Sequence, residues 1–252
     1  MREFSQEKTE MAWYAYCITE HSGLQNGSRP RRPYILETLK GVNDASVFAY
    51  PSGDFAVIVS EISTAKPLNQ EAIVEHARVI SECFRTMTVL PFRFGTIFES
   101  DEALRRAVRT NRKTLLESVQ RLRGKAEMHF KILLKDALVE EALRRLPAGV
   151  GGEYLRKLRE QASRERERQT KARALSVQVH KLFSPLEEDV VCKRVDASNM
   201  LLDFAHLIDT SAIPKYQNRY SAATRHFKDC QVSITGPWPP YHFMPSKIRT
   251  VS

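Results

Sequence analysis

"EMHFKILL", residues 127 to 134, decides how the chain is divided. Met128, Phe130, Ile132 and Leu134 alternate with Glu127, His129, Lys131 and Leu133, the period of a strand in a sheet covered on one face. Immediately before it, in "RLRGKAE", Gly124 closes a helical pattern, so a new strand begins where another element ends. After it come helical segments, "DALVEEALRRL" (136 to 146) and, past the Gly-rich "PAGVGG", a charged run to about Leu182. "DVVCKRV" and "NMLLDFAHLI" then pair across Asp196-Ala197-Ser198-Asn199. Pro214 at a first helical position opens a helix with Tyr216, Tyr220, Ala223 and Phe227 inward, and "QVSIT" is the last strand. This order predicts a ferredoxin-like βαββαβ sheet over 124–252 with an enlarged helical first crossover.

Working back from Gly124, residues 1–123 read as a second α+β domain. "WYAYCIT" (13 to 19) is a strand and "HSGLQNGSRPRRP" a loop. "ASVFAY" and "FAVIVSEI" flank Pro51-Ser52-Gly53-Asp54 as a hairpin. Asn69 caps a helix with Ile73, Ala77, Ile80, Phe84 and Met87 on its apolar face. "VLPFRFGTIF" (89 to 98) follows as a strand, and Ser100 caps a further helix with Leu104, Val108, Leu115, Val119 and Leu122 on one side. The whole is an α+β protein of two domains, 1–123 and 124–252, a division that 252 residues accommodate.

Hydrophobic residues make up 42% and charged residues 27%, and no stretch approaches the roughly 18 apolar residues of a membrane span. The first twenty residues lack the apolar core of a signal peptide, so the cytoplasm is the expected compartment. Cys17, Cys83, Cys192 and Cys230 stand apart without metal-site spacing and read as reduced, mostly buried thiols. The net charge of +9 is concentrated in "RPRRP" (29 to 33) and in residues 144 to 174, where it reads as a solvated helix face. From Ser163 to Lys171 no apolar residue interrupts the run. Leu155, Leu158 and Ala162 before it, and Leu175, Val179 and Leu182 after it, keep helical spacing. The middle is therefore expected to project as a helix end or mobile connection, offering Arg164, Arg166 and Arg168 to a partner.

Two dense motifs remain. A strand period through "LPFRFGTIF" puts Leu90, Phe92, Phe94 and Phe98 in the core. Arg93 and Gly95 take the opposite face, where the glycine bares the guanidinium and admits another backbone. Arg93 then either pairs within the molecule, across the hinge between domains, or docks a partner. "TGPWPPYHF" (235 to 243) reads as a stiff polyproline-like arm, unable to continue a central strand, with Trp238, Tyr241 and Phe243 hanging from it and packing on their own domain.

With "WYAYCIT", "FAYPSGDFAVIVSEI", "LPFRFGTIF" and "VSITGPWPPYHF" in this order over roughly 12 to 243, the chain resembles the GvpL/GvpF family of gas vesicle proteins, in its shorter GvpF form. The resemblance implies an accessory protein for assembling gas vesicles, the protein-walled organelles that give buoyancy, with two α+β domains and no catalysis. Its implied partners are the gas vesicle shell protein and other gas vesicle accessory proteins, and its place the gas vesicle or cytoplasm. Candidate contacts, with partners or between domains, are Arg93, Phe94, Gly95, Trp238, Tyr241, Arg164, Arg166 and Arg168.

A search for chemistry on the residues themselves supplies no catalytic, cofactor or metal residues and no small-molecule substrate. The sequence contains no G-x-S-x-G, H-E-x-x-H, P-loop or Rossmann fingerprint. Asp203 points opposite to His206 on one strand, which also carries Asp209, and a lone strand histidine reads as a satisfied structural group. His129, His180, His226 and His242 have no carboxylate partner evident from spacing. The alternative function is a nucleic-acid-binding module built on the basic ferredoxin-like domain. It is disfavoured because Glu127, His129, Lys131 and Leu133 offer no aromatic pair for bases to stack on.

Overall fold

The computed structural model describes residues 11–21, 33–63, 67–134, 151–194, 200–225, 227 and 230–245; for Tyr34, 151–158, Gln161 and Arg194 it describes the backbone alone. Helices and antiparallel sheets form an α+β fold in two compact units. One comprises Met1–Gly124 and Pro239–Ser252, the other Lys125–Trp238. The expected helix at 136–146, the basic residues 29–32, most of the loop 21–33, the turn 196–199 and His226 lie outside the described residues.

In the first unit the strands are β1 (Met11–Glu20), β2 (Tyr34–Lys40), β3 (Ser46–Ser52), β4 (Phe55–Ser63), β5 (Val89–Pro91) and β6 (Ile97–Phe98), ordered β2-β3-β4-β1-β5 with β6 also on β1. The hairpin forms where Gly and Asp permit it, Ser52 pairing with Phe55 around Gly53-Asp54. Tyr34–Lys40, which the sequence reading leaves unassigned, is the edge strand. The first six residues of β4 are all buried, so both faces of the sheet are covered. Ala56 and Ile58 share a core with Ala72, Val79, Ile80 and Cys83 of α1 (Gln70–Phe84). That face of α1 is rotated from the expected one: Ile73 and Val74 are exposed at 50% and 70%, and His76 occupies the core position. Asn69 caps α1 as expected, its side chain accepting from the Ala72 amide at 2.9 Å. Ser100 caps α2 (Asp101–Thr110), which breaks at Asn111 before α3 (Arg112–Leu122). The predicted apolar side Leu104, Val108, Leu115, Val119 and Leu122 is buried throughout.

The second unit runs β7 (Lys125–Leu134), α4 (Gly151–Phe183), β8 (Glu187–Arg194), β9 (Met200–Asp209), α5 (Ile213–Ala223) and β10 (Cys230–Trp238), with sheet order β10-β7-β9-β8 and every pair antiparallel. Met128, Phe130 and Ile132 face Ala172, Val179 and Phe183 of α4 and Tyr216 and Ala223 of α5 in one core. Two expectations about α4 fail. The helix is continuous for 33 residues, so the charged run neither ends it nor connects two pieces. Ala162 is exposed, and among the described side chains burial begins only at Ala172, which with Val179 and Phe183 packs in the sheet core. The last strand also reaches farther than "QVSIT". β10 continues to Trp238 through a cis Gly236–Pro237 bond and a register shift, which an edge strand tolerates because no neighbour needs the missing proline amide.

Candidate functional site

The stretch 89–98 is two short strands with a turn between them. β5 and β6 both pair with β1, Cys17 opposite Pro91 and Trp13 opposite Phe98. Backbone bonds from Phe92 N to Tyr16 O (2.8 Å) and from Ala15 N to Thr96 O (2.9 Å) keep the chain beside β1 up to the turn and again beyond it. Arg93 to Thr96 loop out, closed by the Thr96 amide on Arg93 O at 3.2 Å. Gly95 has φ +82°, the third-position glycine such a turn demands. Hence the strand period stops at Phe92. Leu90, Phe92 and Phe98 are buried as expected, but Phe94 is 39% exposed rather than core. Gly95 serves the turn rather than a close approach, since a Cβ there would meet nothing within 4 Å. Arg93 is exposed, and its guanidinium has no ion pair among the described residues.

Beneath the turn is a polar relay that spacing alone does not reveal. Tyr14 Oη accepts from the Gly95 amide (3.3 Å) and donates to His76 Nδ1 (2.8 Å), while His76 Nε2 donates to Phe92 O (3.3 Å). A carbonyl can only accept, so Nε2 carries the proton. Burial pushes the Tyr14 phenol up to about 12 and lowers the His76 imidazole, the Phe92 carbonyl opposing it, so both stay neutral. Phe94 packs edge-on against both rings, at 6.3 Å from Tyr14 and 5.7 Å from His76. The exposed turn is thus held from below at its backbone and at its aromatic side chain. The available signal was a histidine on the core-facing side of a helix four residues after Ala72.

In the second unit Trp238 is 43% exposed, its indole donating to Thr235 Oγ1 at 3.2 Å. Tyr241, in the first unit, is 39% exposed, whereas Phe243 is 3% exposed. Of the three rings only Phe243 is buried, and it falls in the first unit rather than, as expected, in the domain of the strand that precedes it. Gly236 has φ +120°, and a Cβ there would lie 2.8 Å from Glu127 O and 2.9 Å from Met128 Sδ. On α4, Arg164 and Arg166 are exposed, but Arg168 is half-buried and donates to Met200 O at 2.7 Å. These arginines share a helix without forming one free patch.

The sheet also brings together groups the sequence reading left apart. His129 Nε2 is 2.7 Å from Glu127 Oε1 and Nδ1 is 2.9 Å from Asp203 Oδ1, because Asp203 lies diagonally across β7 and β9. Glu127, expected on an open face, is 1% exposed, flanked in register by Trp238 and Leu207. The Glu127 bond, then Asp203, raise the His129 pKa against the opposing effect of burial. On the covered face His206 Nδ1 bonds Tyr216 Oη (2.7 Å), while its Nε2 stands 3.4 Å from Glu187 Oε2 without a hydrogen bond. Burial, with the charges of His129 and His180, pushes His206 down to about 4, so this contact is not an ion pair near neutral pH. His180 takes the other Glu187 oxygen at 2.8 Å.

Residues 12–245 match the family described as gas vesicle synthesis protein GvpL/GvpF. Among curated proteins the chain is 22% identical to gas vesicle protein F1 of Halobacterium salinarum, covering 92% of each. It is 26% identical to gas vesicle protein L of a Streptomyces species, covering 77% of each. Among solved structures it superposes on GvpF of Anabaena (TM-score 0.73, 17% identity, 94% of this chain and 97% of that one). It also superposes on GvpF of Microcystis aeruginosa (TM-score 0.70, 18% identity, 93% and 99%).

Proposed function

The chain belongs to the GvpL/GvpF family of gas vesicle synthesis proteins, and on that premise we propose that it acts in gas vesicle formation as a non-catalytic assembly factor. It binds the vesicle shell protein, other gas vesicle accessory proteins or both, in the cytoplasm or at the growing vesicle, and so contributes to buoyancy. The observation that carries the reading is the family match over nearly the whole described chain. The Arg93–Thr96 turn supports it as a docking element: Arg93 and Phe94 are exposed on a rigid base, the arrangement that lowers the ordering cost of binding. Trp238, Tyr241, Arg164 and Arg166 supply further exposed contacts.

The nucleic-acid alternative gains no support. The rings of β7 and β9, Phe130 and Phe204, lie in the covered core, and the other face carries the Glu127 and Asp203 carboxylates, which repel phosphate.

Deleting the gene in a vesicle-forming host should abolish or sharply reduce flotation, with restoration by the wild-type copy; normal vesicle yield in the deletion strain would sink the proposal. A complementing copy with Arg93→Ala and Phe94→Ala should restore protein level but not flotation, and full rescue would remove the turn from the docking surface.

A further inference from the structure

Between the β3–β4 hairpin and the α2–α3 junction of the first unit lies a cavity of about 830 Å³, the size of a ligand pocket. His21, Asp54, Phe55, Arg105, Arg109 and Arg112 line it. His21 is only 5% exposed, yet neither of its ring nitrogens has a hydrogen-bond partner. Buried polar groups in folded proteins are normally paired, and both covered nitrogens of His21 gain a partner from an occupant once the ring turns toward the cavity it lines. The arginines differ in engagement. Arg112 holds the Asp54 carboxylate at 2.7 Å, and Arg105 donates to Tyr50 Oη at 2.8 Å with Asp101 at 3.9 Å. The Arg109 guanidinium has no hydrogen bond or ion pair among the described residues.

We propose that this cavity is a binding site for an acidic peptide segment of a protein partner, with Arg109 taking a carboxylate and His21 the peptide backbone. Asp54 on Arg112 shows that the wall already seats a carboxylate, and with Arg105 beside Asp101 at 3.9 Å it is the Arg109 guanidinium that stands without one. A peptide offers the two unpartnered ring nitrogens of His21 both an acceptor and a donor, its C=O and N–H, whereas a phosphate anion offers chiefly acceptors. The volume likewise exceeds what a lone phosphate fills. Buried Phe55 and half-buried Pro51 give apolar walls for the peptide's side chains. The site is separate from the Arg93–Thr96 turn, and its assignment stands without the vesicle reading.

The test uses the full chain and a fluorescein-labelled hexaglutamate peptide, titrated by anisotropy at about 0.3 M salt to suppress diffuse attraction. Arg109→Gln should weaken binding about tenfold or more. Arg106→Gln, the same charge change on the same helix but outside the lining, should change it less than about twofold. His21→Phe should also weaken it; should that variant not fold, Arg109→Gln and Arg106→Gln decide. Equal losses in those two variants would overturn the proposal in favour of diffuse charge, and no binding by wild type would overturn it outright. Displacement of the peptide by inorganic phosphate or tripolyphosphate at lower concentrations than unlabelled hexaglutamate would replace it with a phosphoanion site.

Discussion

At Gly236 a methyl group would lie 2.8 Å from a backbone carbonyl, while at Gly95 it would meet nothing. Both positions have positive φ, so Gly95→Ala should cost about 1 to 2 kcal/mol from backbone strain alone. Gly236→Ala adds overpacking against β7 and should cost about 3 kcal/mol or more. Chemical denaturation of the two variants checks the ranking, and equal losses would contradict it. Tyr14→Phe removes the acceptor for the Gly95 amide and the donor to His76, both buried or half-buried, and should destabilise by about 1 to 3 kcal/mol. Faster hydrogen exchange at the Gly95 amide would place that loss at the turn. Little of this was legible residue by residue. Apolar periodicity scores histidine as polar, so it rotated α1 away from His76. It also read Phe94 as strand core, because a turn that leaves and rejoins the same neighbouring strand keeps the composition of a strand.

Elements with one clear period were legible: β7, the β3–β4 hairpin, the capped α1 and α2, and α5 with its early proline all stand where sequence placed them. The element order of the second unit followed from them. What depended on cross-strand register was not legible, and the His129 cluster is the example, since Asp203 is 74 residues away from it. That cluster has a pH signature. A histidine whose pKa is raised by folding binds more protons folded than unfolded, so its stabilisation is full below about pH 6.5 and is lost as pH rises through the folded value. The stability difference between wild type and His129→Asn should accordingly be larger near pH 5.5 than near pH 9. NMR titration should show His129 above, and His206 at about 4 and so below, the ordinary histidine value. A single shared midpoint would refute the assignment. Along α4, Val179→Ala in the buried half should cost about 1 to 3 kcal/mol, whereas Arg166→Gln in the exposed half should stay within about 0.5. Thermal melting distinguishes them.

The molecule as a whole is a chain that leaves one compact unit at Lys125 and rejoins it at Pro239. Arg121 donates to the carbonyl of Phe243 across 122 positions, and Phe243 is 3% exposed. Sequence made the change at Gly124 visible as a glycine between two periods, but the return at Pro239 has no comparable mark, because proline and aromatic residues suit an arm on either unit. Phe243→Ala should destabilise the first unit by about 3 kcal/mol or more. The only two tryptophans, Trp13 and Trp238, fall one in each unit, so single Trp→Phe variants would report the two unfolding events separately. A loss confined to the Trp238 signal would contradict the placement of Phe243. This routing also sets an order of events on the ribosome: more than a hundred residues of the second unit must be translated before Phe243 emerges, and until then the first unit waits with one buried position unfilled.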